Sequence, residues 1–150
     1  MSTRIDIDDA TFVRAPVALV YRRLTDIGAW PGWWTGLSLQ PLPPVAGDER
    51  WALSLVTGPA RLLRFAITVE RWRHEAGIVL RLDGDLEGRA ELWLEPVSGG
   101  TVVHHVAATT TGLAWPTLVA RGYRRAVRRG LWGFKDVLQL EMRTSLGVPP

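Results

Sequence analysis

Three histidines, a pair of closely spaced aspartates and the absence of cysteine set the chemistry open to this 150-residue chain. His104 and His105 are adjacent. On a strand such neighbours point to opposite faces, so they cannot chelate one metal ion. The alternation of the surrounding residues puts His105 inward with Val103 and Ala107, and His104 outward. An inward histidine could transfer a proton, although a structural, hydrogen-bonded histidine is the commoner role. His74 lies near a hairpin turn and is expected to be exposed. Asp83 and Asp85 flank Gly84, a pattern that reads as turn chemistry first and as a general base second. No serine sits in a nucleophile-elbow pattern, and neither a glycine-rich phosphate loop nor metal-ligand spacing is present. The lack of cysteine removes disulfides, thiolate metal sites and cysteine nucleophiles, and it fits a reducing compartment. Neither a metal nor a cofactor is expected.

Positioning these residues falls to a mixed set of elements. Ile5, Ile7, Phe12 and Val13 mark a first strand from about Ile5 to Ala15. Pro16 opens a short amphipathic helix to Thr25, with Val17, Val20, Tyr21 and Leu24 at helical spacing. Asp26 is a plausible cap for a second short helix through Trp30, ended by Pro31-Gly32. The run from Gln40 to Asp48 reads as a proline-rich loop. Period-two alternation then continues through Trp51, Leu53 and Leu55, through Leu63, Phe65, Ile67 and Val69, and through Ile78, Leu80 and Leu82. Leu92 and Leu94 extend the pattern, and Ser98-Gly99-Gly100 turns into a last strand to Thr111. After Pro116 the period becomes helical. Tyr123, Val127, Leu131, Phe134, Leu138 and Met142 form one apolar stripe to about Arg143. Gly122, Gly130 and Gly133 are unfavourable inside a helix and point to a bend or a close approach of backbone; the tail Gly147-Val148-Pro149-Pro150 stops it.

The order is strand, two short helices, about six strands and one long helix, an α+β layout in one domain over residues 1–150. A sheet this long must curve, and a helix laid across it leaves room for a cavity. Hydrophobic residues make up 47% and charged residues 22%, a globular balance. No apolar run resembles a signal peptide or a membrane-spanning helix, so a cytoplasmic location is expected. The net charge is +3, yet Arg121, Arg124, Arg125, Arg128, Arg129 and Lys135 fall within one acid-free stretch; the rest of the chain is therefore at −3. Such a flank is most often a solvated helix face; it could also attract an anionic ligand or make weak contact with membrane headgroups, helping a lipid-like molecule load. Nucleic-acid binding ranks third and is not expected, because the helix uses its apolar stripe for the core.

The ordered set of segments resembles the START/Bet v 1-like superfamily, and within it the polyketide cyclase/dehydrase-like group. Ala15-Pro16-Val17 through Leu24-Thr25-Asp26, followed by Trp30-Pro31-Gly32-Trp33-Trp34, is similar to the family's opening segment. Gly84-Asp85-Leu86-Glu87-Gly88-Arg89-Ala90-Glu91-Leu92 resembles its central hairpin. Leu94-Glu95-Pro96 and Gly99-Gly100-Thr101-Val102-Val103 resemble its turn into the last strand. The resemblance implies a helix-grip fold: a curved antiparallel seven-stranded sheet wrapped around the C-terminal helix, with a hydrophobic ligand cavity between them. Leu92 and Ala107 stand where bulky aromatics are expected, which would leave space in that cavity.

The expected site is therefore apolar. Trp34 and Trp51 are assigned as walls, with Phe65, Ile67, Leu80, Leu92, Leu94, Val103, Ala107 and Val127 completing it beside His105 and Tyr123. Binding of a lipid- or polyketide-like small molecule is the first reading. A cyclase or dehydrase, which would need an acid/base such as His105 or Tyr123, is the alternative. Trp72 and Trp93 fall on the opposite face of the sheet with Val102 and Val106, either as isolated exposed residues or as a contact patch for a homodimer.

Overall fold

A computed structural model describes residues 2–146. Strand β1 (Thr3–Val13) leads into helix α1 (Val17–Thr25) and a 3-10 helix (Ile27–Gly32). Six strands follow: β2 (Leu37–Val45), β3 (Asp48–Gly58), β4 (Arg61–Arg73), β5 (Gly77–Gly84), β6 (Glu87–Val97) and β7 (Gly100–Thr111). Helix α2 (Pro116–Ser145) ends the described chain; the tail Gly147–Pro150 lies outside it. The sheet is one antiparallel meander in the order β1-β7-β6-β5-β4-β3-β2. Pairing of β1 with β7, from Thr3↔Thr111 to Val13↔Thr101, joins the first strand to the last, so β1 and β2 are the two edges. No helix among the described residues is long and apolar enough to cross a membrane.

The stretch read as a proline-rich loop is strand β2. Pro41, Pro43 and Pro44 are tolerated there because an edge strand has one side without ladder partners. The hairpin turns at Ala46-Gly47, both at positive φ, as a tight two-residue connection requires. Asp26 makes no side-chain cap bond. The corner is closed instead by the Trp30 indole, whose Nε1 donates to the Leu24 carbonyl at 2.8 Å. Pro16 stands at the N-cap of α1 rather than inside its first turn.

On α2, Tyr123, Val127, Leu131, Phe134 and Leu138 are buried against the sheet, while Met142 is only half-buried. The glycines of α2 mark close approaches. A Cβ at Gly130 would lie 2.5 Å from the Trp34 ring, and one at Gly122 would lie 2.8 Å from the Thr57 carbonyl oxygen.

The arginine flank is partly tied down. Arg124 donates to the Asp6 carbonyl on β1 at 3.2 Å and Arg128 to the Asp9 carboxylate at 3.3 Å. From the other flank, Arg129 donates to the carbonyls of Thr35 (3.0 Å) and Val56 (2.8 Å). Arginines thus clasp α2 to β1 on one side, and to β3 and the segment before β2 on the other. Replacing Arg121, Arg124, Arg125 and Arg128 together with glutamine is expected to lower stability by no more than about 1 kcal/mol per ion pair, because these side chains are exposed. Chemical denaturation checks this, and a collapse of the fold would show the clasp to be essential.

On the outer face, Trp72 is exposed, and Trp93 stacks on His104 with ring centroids 3.7 Å apart. The His104 Nε2 lies 3.0 Å from the Glu95 carboxylate, which accounts for this histidine.

Candidate functional site

Between the concave face of the sheet and α2 lies a cleft lined almost wholly by carbon. Alternation along the strands builds it. Leu53 and Leu55 on β3, Phe65 and Ile67 on β4, and Leu80 and Leu82 on β5 send their side chains inward. Ala90 and Leu92 on β6 and His105 on β7 continue the wall, and Tyr123 closes it from α2. Trp30 and Trp34 form the end under the 3-10 helix.

Of the residues assigned from sequence, Trp34, Phe65, Ile67, Leu80, Leu92, His105 and Tyr123 meet at this cleft. Leu94, Val103, Ala107 and Val127 are fully buried but stand behind it, in the core. Trp51 is half-buried and stands outside the cleft; a Cβ at Gly28 would lie 3.3 Å from its ring, so it packs beneath the 3-10 helix. Its assignment as a wall is corrected accordingly. Trp30, Leu53, Leu55, Leu82 and Ala90 fall outside that assignment. The alternation signal is present for the leucines, whereas Trp30 and Ala90 depend on how the 3-10 helix folds over and on the β5–β6 register.

The space itself is small. Its free volume is about 30 Å³, room for about one water, and the extra space expected from Leu92 and Ala107 is absent. Tryptophans fill it. Trp34 is held by its Nε1 donating to the Ala126 carbonyl at 2.9 Å and by stacking on Trp33 at 5.8 Å. Trp33 in turn meets Phe134 edge-on at 4.9 Å. Next to the cleft, an open groove of about 360 Å³ runs between the β3–β4 hairpin and the start of α2. Neighbouring residues line the two spaces: Leu63 of the groove pairs with Leu55 of the cleft, and Val119 sits one helical turn before Tyr123.

Two polar groups matter inside. His105 is buried and its Nε2 has no hydrogen-bond partner. Burial lowers its pKa to about 4, against the opposing pull of the Asp9 carboxylate, so the ring is neutral at ordinary pH. Burial likewise pushes the Tyr123 phenol upward and keeps it protonated. Among the described residues no three side chains of ligating type come together to hold a metal ion. His74 is exposed beside Tyr21, and the Asp85 carboxylate accepts from the Arg64 amide at 2.8 Å, which is turn chemistry.

No family model matches the chain, and no curated protein matches it. Solved structures do. The protein TTHA0849 from Thermus thermophilus superposes with a TM-score of 0.79 at 16% identity, over 91% of this chain and 98% of that one. The Zhui aromatase/cyclase from a Streptomyces species gives a TM-score of 0.77 at 12% identity, over 95% and 98%. The di-domain ARO/CYC StfQ from the steffimycin biosynthetic pathway gives 0.71 at 18% identity, over 93% of this chain but 52% of that one, so this chain spans about half of it. At these identities the likeness is one of fold.

Proposed function

We propose that this chain, which has the helix-grip fold of the START/Bet v 1-like superfamily, binds an apolar small molecule between its sheet and α2. One observation carries the proposal: His105, whose buried Nε2 has no partner, lines a cleft that is almost wholly apolar. Leaving such a group unsatisfied costs about 1–3 kcal/mol, and a ligand would relieve that cost. Small-molecule pockets commonly measure about 300–1,000 Å³. The cleft at about 30 Å³ is far smaller, so binding requires the side chains that fill it to part. The adjoining groove, of mixed polarity and bordered by Arg61, lies where a ligand would approach.

The second reading, a cyclase, is favoured by one specific observation: His105 and Tyr123 line the same cleft. Their chemistry is weak, however. A base with a pKa of about 4 has little driving force for taking a proton at neutral pH, and no side chain orients the ring through Nε2. Binding is the better supported function.

An environment-sensitive naphthalene dye is expected to bind with one-to-one stoichiometry and to perturb tryptophan emission through Trp30 and Trp34. Ala90→Phe fills the cleft and is expected to weaken dye binding at least about tenfold, a change of about 1.4 kcal/mol. Circular dichroism would confirm that the variant is folded. Unchanged dye affinity in a folded Ala90→Phe protein would place the site elsewhere.

A further inference from the structure

We infer that the ligand is an uncharged molecule with an apolar, ring-bearing body and a single hydroxyl or carbonyl group that meets His105. This rests on the binding function proposed above and narrows it. No lysine, arginine, aspartate or glutamate lines the cleft. Of the cations on α2 near Tyr123, Arg124 is directed to the Asp6 carbonyl, Arg128 to Asp9 and Arg129 to the carbonyls of Thr35 and Val56, while Arg121 and Arg125 are exposed and do not line the cleft. A carboxylate or phosphate entering the cleft would lose its hydration without meeting a counter-charge, which is prohibitive for a bare ion.

The imidazole does not supply that charge. Burial holds it neutral, and Asp9, its pairing partner across β1 and β7, is the one carboxylate that acts on it. A neutral ring offers at Nε2 either one acceptor or one donor, according to its tautomer. One complementary group on the ligand satisfies it; with the Trp30 and Trp34 indoles already bonded, the remaining polar side-chain group among the lining residues is the Tyr123 hydroxyl. Trp30, Trp34, Phe65 and Tyr123 present ring surfaces, which favour a flat body over a flexible chain. The site therefore selects by charge: it accepts a phenol, alcohol or ketone and rejects the acid of the same shape.

Three probes with one ring system test this at pH 7 by calorimetric titration: naphthalene, 2-naphthol and 2-naphthoate. We expect 2-naphthol to bind about tenfold more tightly than naphthalene, as one hydrogen bond to a buried orphan allows. We expect 2-naphthoate to bind at least about a hundredfold more weakly than 2-naphthol. In His105→Leu the advantage of 2-naphthol over naphthalene should vanish while naphthalene still binds. His105→Gln, which restores a hydrogen-bonding side chain, should recover part of it. Equal or tighter binding of 2-naphthoate by the unaltered protein overturns the inference and leaves the binding function standing. A 2-naphthol preference that survives in folded His105→Leu also overturns it. If none of the three binds, the binding function fails and this inference with it.

Discussion

A fragment ending at Trp115 is expected not to fold. The concave face of the sheet is covered by α2 together with α1 and the 3-10 helix, and all share a continuous core. Tyr123, Val127, Leu131, Phe134 and Leu138 are each almost wholly buried in it. Burying a large apolar side chain stabilises by about 1.5–3 kcal/mol, so these five represent roughly 8–15 kcal/mol. A whole domain has a stability of about 5–15 kcal/mol, which leaves the fragment no margin. Its remaining strands would also expose Leu53, Leu55, Phe65, Ile67 and Leu80 to water. Circular dichroism of residues 1–115 should show neither native sheet content nor a cooperative thermal transition. A cooperative transition in that fragment would contradict the shared core.

The second large effect comes from one methyl group. Gly133→Ala is expected to destabilise the protein by about 2 kcal/mol or more, against the sign that helix propensity alone gives. In an exposed helix interior, alanine in place of glycine is favourable by about 1 kcal/mol. Here the added Cβ would lie 1.9 Å from the Trp33 carbonyl oxygen, a backbone atom that cannot swing aside. Either α2 or the segment bearing Trp33 and Trp34 must shift, and Phe134 and Gly130 hold both in place. Overpacking of this kind costs about 1–3 kcal/mol, sometimes more. With a urea m-value of about 1–3 kcal/mol/M, the midpoint should fall by roughly 1 M. A midpoint that rises would show that α2 stands further from the 3-10 helix.

The meander and its covering helix were legible because each rests on periodicity: Ile78, Leu80 and Leu82 at spacing two, and Tyr123, Val127 and Leu131 at spacing four. The glycines of α2 were legible as sites of close approach, though not their partners. What the sequence does not carry is which strand ends at an edge. Pro41, Pro43 and Pro44 would exclude a central strand, and only the sheet order shows that β2 is not one. The site was legible in part for the same reason. Inward alternation placed Phe65, Ile67, Leu80 and Leu92 on one face, and these four side chains are buried along the cleft. Which of the inward residues border free space depends on how Trp30 and Trp34 fill the end, and that is set by the 3-10 helix. Trp51 illustrates the limit: it shares the period of Leu53 and Leu55, yet it is taken up by packing against Gly28.

The three prolines of β2 also bear on how the protein behaves at high concentration. An open sheet ends in two rows of backbone groups that can template pairing with another chain, the route to fibres and aggregates. On β2, residues 41, 43 and 44 have no N–H to offer, so an incoming strand finds an interrupted ladder. At the opposite margin, β1 carries Asp6, Asp8 and Asp9 in close succession, and the Arg124 guanidinium already occupies the Asp6 carbonyl. A second copy laid alongside that margin would bring like charges together. Both ends of the sheet are thereby blunted, one by missing donors and the other by charge, and the long meander resists extension into polymer.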